Sequence, residues 1–420
     1  MKSLKIVVVG TLVSDPFAGM AWMHMQIALG FLRLGHDVYY FETTSTWPYN
    51  PQLQTRVNNA DYAIPYLKSV VEKFGLKGRW AYRCSFSPDK TWFGMSKAKA
   101  EELLATADLV FNISGSTRFA EEGLKTGRLV YYSTDPVYHE IKYAEGDDFT
   151  RSMIDEHDDI VTYGENIGNA DCSIPALPRL HAKTRQPVLL DYWQSAEEPV
   201  KKEFTTIGNW KQEGRDFYFN GEKYSWSKHH EFLKFIDLPK RVDQPIEFAT
   251  NLAKPETFEH GKGTEVPAFS VASDYNLLTS NGWKLIDGPS FTTAELWKYR
   301  DYIISSRGEF TFAKDQNIRL RSGWFSERSA CYLAAARPVI TQDTGFGTVL
   351  PTGEGLFAFN TMEDIVTAFD AINSNYKKHS KAAKEIAVEY FKAETVLEKV
   401  LTDLGASGNK YSSHSSEKIY

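Results

Sequence analysis

The chain has 420 residues, of which 42% are hydrophobic, and this length and composition are enough for two α/β domains with separate cores. Its net charge of −6 provides no overall basic surface that would attract nucleic acid or an anionic membrane. Three cysteines, Cys84, Cys172 and Cys331, are too few and too scattered for a disulfide framework or a zinc site. These features favour a cytoplasmic protein.

The first part of the chain predicts repeated strand and helix units. The run from Lys5 to Gly10 is β-branched and predicts a buried parallel strand, followed by a loop containing Gly19 and a helix over 20–34. That run is too short for a secretory signal, and no segment of 18 apolar residues predicts a membrane span. Further strands are predicted at 37–41, 108–113, 129–132 and 160–163. We therefore expect a Rossmann-like domain over residues 1–170.

The second part predicts another α/β domain. Residues 171–203 contain four prolines and no strong periodicity, which is typical of an interdomain connection. A strand at 204–207 opens the second Rossmann-like domain, over 204–378, in which a helix is predicted over 224–235, and amphipathic helices follow over 379–404. The polar, serine-rich residues 405–420 predict a disordered tail. The fold class is therefore α/β with two doubly wound domains.

The stretch from Ser322 to Gly347 carries the most informative pattern. A turn and an N-cap candidate, Ser326, precede an alanine-rich helix that Arg337-Pro338 ends. A short strand and a glycine-rich loop follow. Because the start of a helix offers free N–H groups and a positive dipole end, Ser326, Arg328 and Ser329 predict a diphosphate site.

The order of motifs in this stretch resembles the nucleotide-sugar half of GT-B glycosyltransferases. The motifs are Arg-Pro-Val-Ile at 337–340, Asp-x-Gly-x-Gly at 343–347 and Gly-Glu-Gly-Leu at 353–356. Residues 19–38, which begin with Gly-x-x-x-x-x-x-Gln and end in Leu-Gly-His-Asp-Val, resemble the first unit of the same enzymes. The resemblance implies two Rossmann-like domains that face each other across a cleft. Gly323 and Cys331 stand where the retaining enzymes carry two glutamates, so inversion and retention both stay open.

The resemblance implies that a nucleoside-diphosphate sugar, with a UDP-sugar expected first, binds to the C-terminal domain without a metal or a resident cofactor. Arg307, Lys314 and Arg328 are basic residues that could neutralise the diphosphate as it leaves. The predicted donor-binding residues are Gly19, Gly208, Asn209, Arg307, Lys314, Ser326, Arg328, Ser329, Asp343, Gly345 and Gly347.

The predicted acceptor side lies in the N-terminal domain. Asp135 follows a predicted buried strand and is restricted by Pro136, so it is the first candidate for the base that takes the acceptor proton. His24, about one turn into the first helix, is the second candidate. Trp22 is a further candidate for contact with an acceptor, which could be a small molecule, a glycan or a modified base.

Other functions stay open at this point. A nucleotide-sugar epimerase of the same fold would need extra acids in the cleft and no acceptor. A catalytically silent binding protein would explain the missing pair of glutamates. A dinucleotide-dependent dehydrogenase is disfavoured because no GxGxxG motif follows the first strand. The oligomeric state is not predicted.

Overall fold

Two parallel β-sheets frame the molecule in the computed structural model, which describes residues 2–195, 198–252, 268–293 and 295–406. The strands in chain order are β1 (Lys5–Val9), β2 (Asp37–Glu42), β3 (Tyr49–Asn50), β4 (Thr55–Arg56), β5 (Trp80–Arg83), β6 (Trp92–Gly94), β7 (Leu109–Ile113), β8 (Leu129–Ser133), β9 (Asp159–Thr162), β10 (Leu180–Lys183), β11 (Phe204–Ile207), β12 (Phe217–Phe219), β13 (Glu222–Tyr224), β14 (Ile246–Thr250), β15 (Lys284–Asp287), β16 (Gly308–Thr311), β17 (Val339–Gln342) and β18 (Leu356–Phe359).

Helices pack around these sheets. In chain order they are α1 (Ala18–Arg33), α2 (Ala63–Lys73), α3 (Lys97–Thr106), α4 (Phe119–Glu122), α5 (Tyr138–Glu145), α6 (Asp148–Asp155), α7 (His229–Lys234), α8 (Ala268–Ser280), α9 (Pro289–Thr292), α10 (Leu296–Ser305), α11 (Asp315–Arg319), α12 (Glu327–Ala334), α13 (Met362–Ser374), α14 (Tyr376–Ile386) and α15 (Ala393–Asp403).

The N-terminal sheet has the strand order β10-β9-β8-β7-β1-β2-β5-β6. Its strands are parallel except β6, which runs antiparallel to β5 at one edge. The β-branched β1 lies in the middle, with four of its five residues buried, because both faces of a parallel sheet are covered by helices. The C-terminal sheet is parallel throughout, in the order β15-β14-β11-β16-β17-β18. The predicted α/β fold class with two Rossmann-like domains is confirmed.

Two local predictions differ from the structure. The predicted connection 171–203 contains β10, which pairs with β9, so the N-terminal sheet extends beyond residue 170. The helix predicted from Tyr224 to Phe235 is instead the end of the β12–β13 hairpin, a loop and the short helix α7. Residues 407–420 of the predicted disordered tail lie outside the described residues.

A buried glutamine joins the two domains. The Gln26 side chain, on α1, accepts hydrogen bonds from the Leu189 N–H and the Trp193 indole N–H, both at 3.0 Å. Its amide nitrogen donates to the Glu327 carboxylate on α12 at 2.8 Å. One hydrophobic core surrounds this junction and runs from β1 and α1 of the first domain to α12 of the second. The helix with the predicted diphosphate site is therefore fixed against the opposite domain.

We predict that replacing Gln26 by leucine destabilises the fold by about 3 kcal/mol or more. The change leaves the buried Leu189 N–H and Trp193 indole N–H without a hydrogen bond, each at a cost of roughly 1–3 kcal/mol, and removes one of the two hydrogen bonds to Glu327. Urea unfolding followed by circular dichroism measures the loss. Gln52→Leu at an exposed position is the matched control and should stay within about 0.5 kcal/mol of the unchanged protein. Equal stability of the two variants would contradict the role of Gln26.

Candidate active site

A cavity of about 570 Å³ lies between the two domains. The C-terminal domain lines it with residues that follow β11, β14 and β16, so the cavity lies at the carboxyl-terminal edge of that sheet, where open α/β sheets place their ligands. The N-terminal domain contributes mainly apolar and aromatic side chains: Phe17, Met20, Met23, Tyr49 and Tyr163. The two walls therefore differ in chemistry.

The first turn of α12 opens into this cavity. Ser326, Glu327 and Arg328 line it, and the extended backbone of Ser326 begins the helix. The Ser326 hydroxyl makes no capping hydrogen bond. The first backbone N–H groups of the helix have no intrahelical acceptor and carry its positive dipole end. An anion at this end of the cavity would be stabilised.

Lys228 adds a positive charge beside the α12 N-terminus. It lies in the loop after β13, lines the cavity, and its ammonium lies 5.5 Å from the centre of the Trp324 ring. No carboxylate pairs with it among the described residues. Burial, with the nearby charges of Arg328 and Lys314, lowers the pKa of Lys228 to about 7. An anion that enters the cavity would therefore stabilise the protonated form of Lys228.

Arg328 and Lys314 already have protein partners. The Arg328 guanidinium donates to the Glu309 carboxylate at 2.6 Å, the Ile207 carbonyl at 2.6 Å and the Thr311 hydroxyl at 2.8 Å. Lys314 forms an ion pair with Asp135 at 2.7 Å. Both cations contribute to the local field, whereas Lys228 is the cation still open to a ligand in the described part of the cavity.

Glu327 is the acid of the cavity wall. One oxygen of its carboxylate accepts from the Gln26 amide at 2.8 Å and from the Cys331 thiol at 3.3 Å. Burial raises the pKa of Glu327 to about 7. It is the only carboxylate among the described residues that line the cavity. Among the described residues, no cluster of three or more His, Cys, Asp or Glu could hold a metal ion.

Structural comparison places this geometry in a known fold. The structure matches HepE from Anabaena, solved with UDP and glucose, with a TM-score of 0.54 over 96% of this chain and 100% of that one at 10% identity. An α-glucosyltransferase solved with UDP and a 13-mer DNA matches with 0.57 over 96% and 100% at 11% identity. Sucrose-phosphate synthase from Thermosynechococcus elongatus matches with 0.53 over 96% and 100% at 11% identity. The chain has the GT-B fold.

These GT-B structures are similar to the chain in architecture, at sequence identities that establish the fold alone. No family model matches the sequence, and no curated protein matches it. Among the described residues, no helix has both the length and the apolar character needed to cross a membrane.

The GT-B cleft brings together five of the predicted donor-binding residues. Gly19, Gly208, Asn209, Ser326 and Arg328 line the cavity. The buried Ser329 lies one position further along α12, and its hydroxyl has no partner among the described residues. Lys314 lies beside the cavity in its ion pair with Asp135.

The glycine loop lies outside the cavity lining. Asp343 accepts a hydrogen bond from the Gly345 N–H at 2.8 Å and pairs with Arg321 at 3.2 Å. A side chain at Gly345 would lie 3.1 Å from the amide of Asn166, so this loop packs against the N-terminal domain. Gly347 continues the same loop. The direct role predicted for these three residues in donor binding stays a prediction.

Arg307 is placed wrongly by the sequence analysis. It precedes β16, at the edge of the sheet opposite the cavity. Its guanidinium donates to the Asn373 side chain at 2.9 Å and lies over the Tyr376 ring. Proximity to a strand in sequence did not show which end of that strand faces the ligand.

Two acceptor-side candidates are buried in the core of the N-terminal domain. Trp22 is 0% exposed, and its indole N–H donates to the Leu296 carbonyl at 3.0 Å. His24 is also 0% exposed, with one ring nitrogen 2.7 Å from the Met20 carbonyl oxygen. Burial lowers the pKa of His24 to about 4. Neither side chain lines the cavity, so the structure does not place them where an acceptor would bind.

Asp135 lies at the boundary between the domains. It follows β8, next to Thr134, which lines the cavity, and both of its oxygens accept from Lys314, at 2.9 and 2.7 Å. Trp324 of the C-terminal domain also donates to the Thr134 carbonyl, at 3.1 Å. The carboxylate is therefore near the cavity and held by a cation.

Sequence analysis missed Lys228. It lies in the loop that follows the β12–β13 hairpin. The sequence analysis predicted a helix there, so it did not expect this lysine in a loop beside the cavity. The one signal in the sequence was an aromatic neighbour, Trp226, two residues before it, but in the structure that ring contacts Lys314 and Lys228 lies over Trp324.

We predict that Lys228 makes the protein less stable near neutral pH than at higher pH. Its folded pKa of about 7 lies below the unfolded value of 10.5, so the unfolded chain binds more protons between these values. The stability of the protein relative to Lys228→Met should therefore rise from pH 7 to pH 10. Urea unfolding at several pH values measures this difference, with the exposed Lys234→Met as control. A difference that does not change with pH would contradict the prediction.

Proposed function

We propose that this chain is a glycosyltransferase that moves a sugar from a nucleoside-diphosphate sugar, with a UDP-sugar as the expected donor, to an acceptor hydroxyl. The observation that carries the proposal is the pairing of an uncapped helix start with an unpartnered cation, Lys228, in the cavity between two GT-B domains. HepE and the α-glucosyltransferase of the same fold were both solved with UDP, which supports this donor class.

The proposed role of the C-terminal wall is to stabilise the leaving diphosphate. As the bond between sugar and phosphate breaks, negative charge builds on the outer phosphate. The N–H groups of the first α12 turn can donate hydrogen bonds to this phosphate, and Lys228 can form an ion pair with it. Arg328 and Lys314 contribute to the field from their own ion pairs. These groups can neutralise the diphosphate without a bound metal.

The proposed acceptor side is the N-terminal wall. Phe17 and Tyr49 lie there with ring centres 5.6 Å apart, and Met20 lies close by. We propose that Asp135 takes the acceptor proton or orients the group that does. The acceptor, a small molecule, a glycan or a modified base, is selected by this wall. We also propose that the protein is cytoplasmic.

The epimerase alternative is less well supported. Such an enzyme would need more than one acid in the cleft, whereas Glu327 is the one carboxylate in the described lining. A silent binding protein would have no use for an unpaired lysine of lowered pKa at a helix start.

We predict that Lys228→Met weakens UDP binding about 10- to 100-fold. The loss corresponds to a hydrogen bond to a charged group, roughly 1.5–3 kcal/mol. Bound diphosphate should also raise the pKa of Lys228, so binding near pH 8 takes up a proton, and affinity falls as pH rises above 7. Isothermal titration calorimetry in two buffers of different ionisation enthalpy measures both effects.

The control for this experiment is Lys234→Met, a lysine on α7 that is paired with Glu231 and 58% exposed. It should bind UDP like the unchanged protein. Equal UDP affinity of the Lys228 and Lys234 variants would remove Lys228 from the donor site.

We predict that Asp135→Asn lowers the transfer rate by about 100-fold or more while UDP binding persists, because general-base catalysis contributes at least this much. The structure supplies a matched variant, since Lys314→Met breaks the same ion pair but keeps the carboxylate. If Asp135 is the base, the lysine variant should keep more transfer activity than the asparagine variant. Equal losses in both would assign the effect to the ion pair, and near-normal transfer by Asp135→Asn would contradict the base role.

A further inference from the structure

Two side chains in the part of the cavity lining here called the floor have buried polar atoms that make no hydrogen bond among the described residues, and the Tyr132 hydroxyl, which neighbours one of them, makes none either. The Tyr163 hydroxyl and the Gln186 side-chain oxygen are both fully buried and have no hydrogen-bond partner among the described residues. Both residues line the cavity, and their side chains are 2% and 1% exposed. Glu327 lines the same cavity and contributes a carboxylate.

The fold holds these side chains in place from both domains. Tyr163 directly follows β9, and its N–H donates to the Ser133 carbonyl at 2.9 Å. Gln186 follows β10, and its amide nitrogen donates to the Phe325 carbonyl, just before α12. Since a carbonyl can only accept, this contact fixes which end of the amide is nitrogen and leaves the oxygen as an acceptor without a partner among the described residues. Gln26 orients Glu327 in the same way.

The hydrogen-bonding properties of these atoms limit the kind of ligand that can bind to them. The Gln186 amide oxygen only accepts hydrogen bonds, and so does Glu327 in its ionised form, which prevails above pH 7, whereas a phenol hydroxyl both donates and accepts. A ligand that fits must therefore present several donors. Sugar hydroxyls meet this requirement, but an anionic carboxylate has no donor and would be repelled by Glu327. Because buried polar groups usually have hydrogen-bond partners, a donor-rich ligand that reaches this floor would satisfy both atoms.

We propose that the floor formed by Tyr163, Gln186 and Glu327 binds hydroxyl groups of the donor's sugar and selects a neutral hexose over a uronic acid. This inference rests on the proposed function, because the start of α12, where Ser326 and Arg328 would hold the diphosphate, adjoins Glu327. It assigns sugar selectivity to residues that contribute no charge to the diphosphate.

The test measures UDP, UDP-glucose and UDP-glucuronate binding by titration calorimetry to the unchanged protein and to Tyr163→Phe. The variant loses only a hydroxyl that makes no hydrogen bond in the described parts of the chain, so its melting temperature should not fall. It should bind UDP normally but bind UDP-glucose roughly 3- to 10-fold more weakly, the range for one neutral hydrogen bond. The unchanged protein should bind UDP-glucose more tightly than UDP-glucuronate.

Tyr66→Phe is the matched control, because its hydroxyl is also buried without a partner among the described residues but lies outside the cavity lining. It should leave all three affinities unchanged. The subsite would be overturned if Tyr163→Phe and the control bound UDP-glucose equally well. It would also be overturned if the unchanged protein bound UDP-glucose and UDP-glucuronate equally well. In either case, binding of UDP would still uphold the donor proposal. Failure of UDP, ADP, GDP and CDP all to bind would overturn the proposed function and the subsite with it.

Discussion

The buried side chain of Gln26 is the contact on which the arrangement of the site depends. It satisfies groups from the connection and from α12 while lying on α1, so three parts of the chain share one hydrogen-bonded centre. Buried polar groups of this kind favour one packing over others because every alternative leaves some of them unpaired. The start of α12 is consequently held at a fixed place relative to the N-terminal wall, which preorganises both sides of the cavity before any ligand arrives.

The division of charge between the walls follows from this arrangement. The described C-terminal wall carries two cations, Lys228 and Arg328, and one acid, Glu327, whereas the described N-terminal wall carries no charged side chain. An anion entering the cavity is therefore drawn to one wall, and an apolar or hydroxylated partner can occupy the other. The same asymmetry supports a donor and an acceptor that bind side by side without competing for the same groups.

Sequence analysis located the frame better than the chemistry. Apolar runs and helix-breaking residues predicted β1, β17 and α12 correctly. A buried backbone must make its hydrogen bonds within a strand or a helix, so an apolar run has few other conformations. The helix expected over 224–235 failed because Tyr224 ends a strand, whereas Phe232, eight residues later and so at helical spacing, lies on a short helix packed against Trp210. Lys228 could not be identified, since its lowered pKa results from burial in the cavity wall and from the charges of Arg328 and Lys314, which are distant in sequence.

The missing pair of glutamates does not leave the α12 face without an acid. Cys331 stands where the resemblance expects the second glutamate, and Glu327 lies four residues before it on the same face of the helix. The Cys331 thiol lies 3.3 Å from the Glu327 carboxylate, so the two positions meet in space although they differ in sequence. Gln26 then turns that carboxylate toward the domain junction. A motif defined by spacing can thus be absent while a carboxylate of similar placement remains, one helical turn closer to the diphosphate end of the cavity.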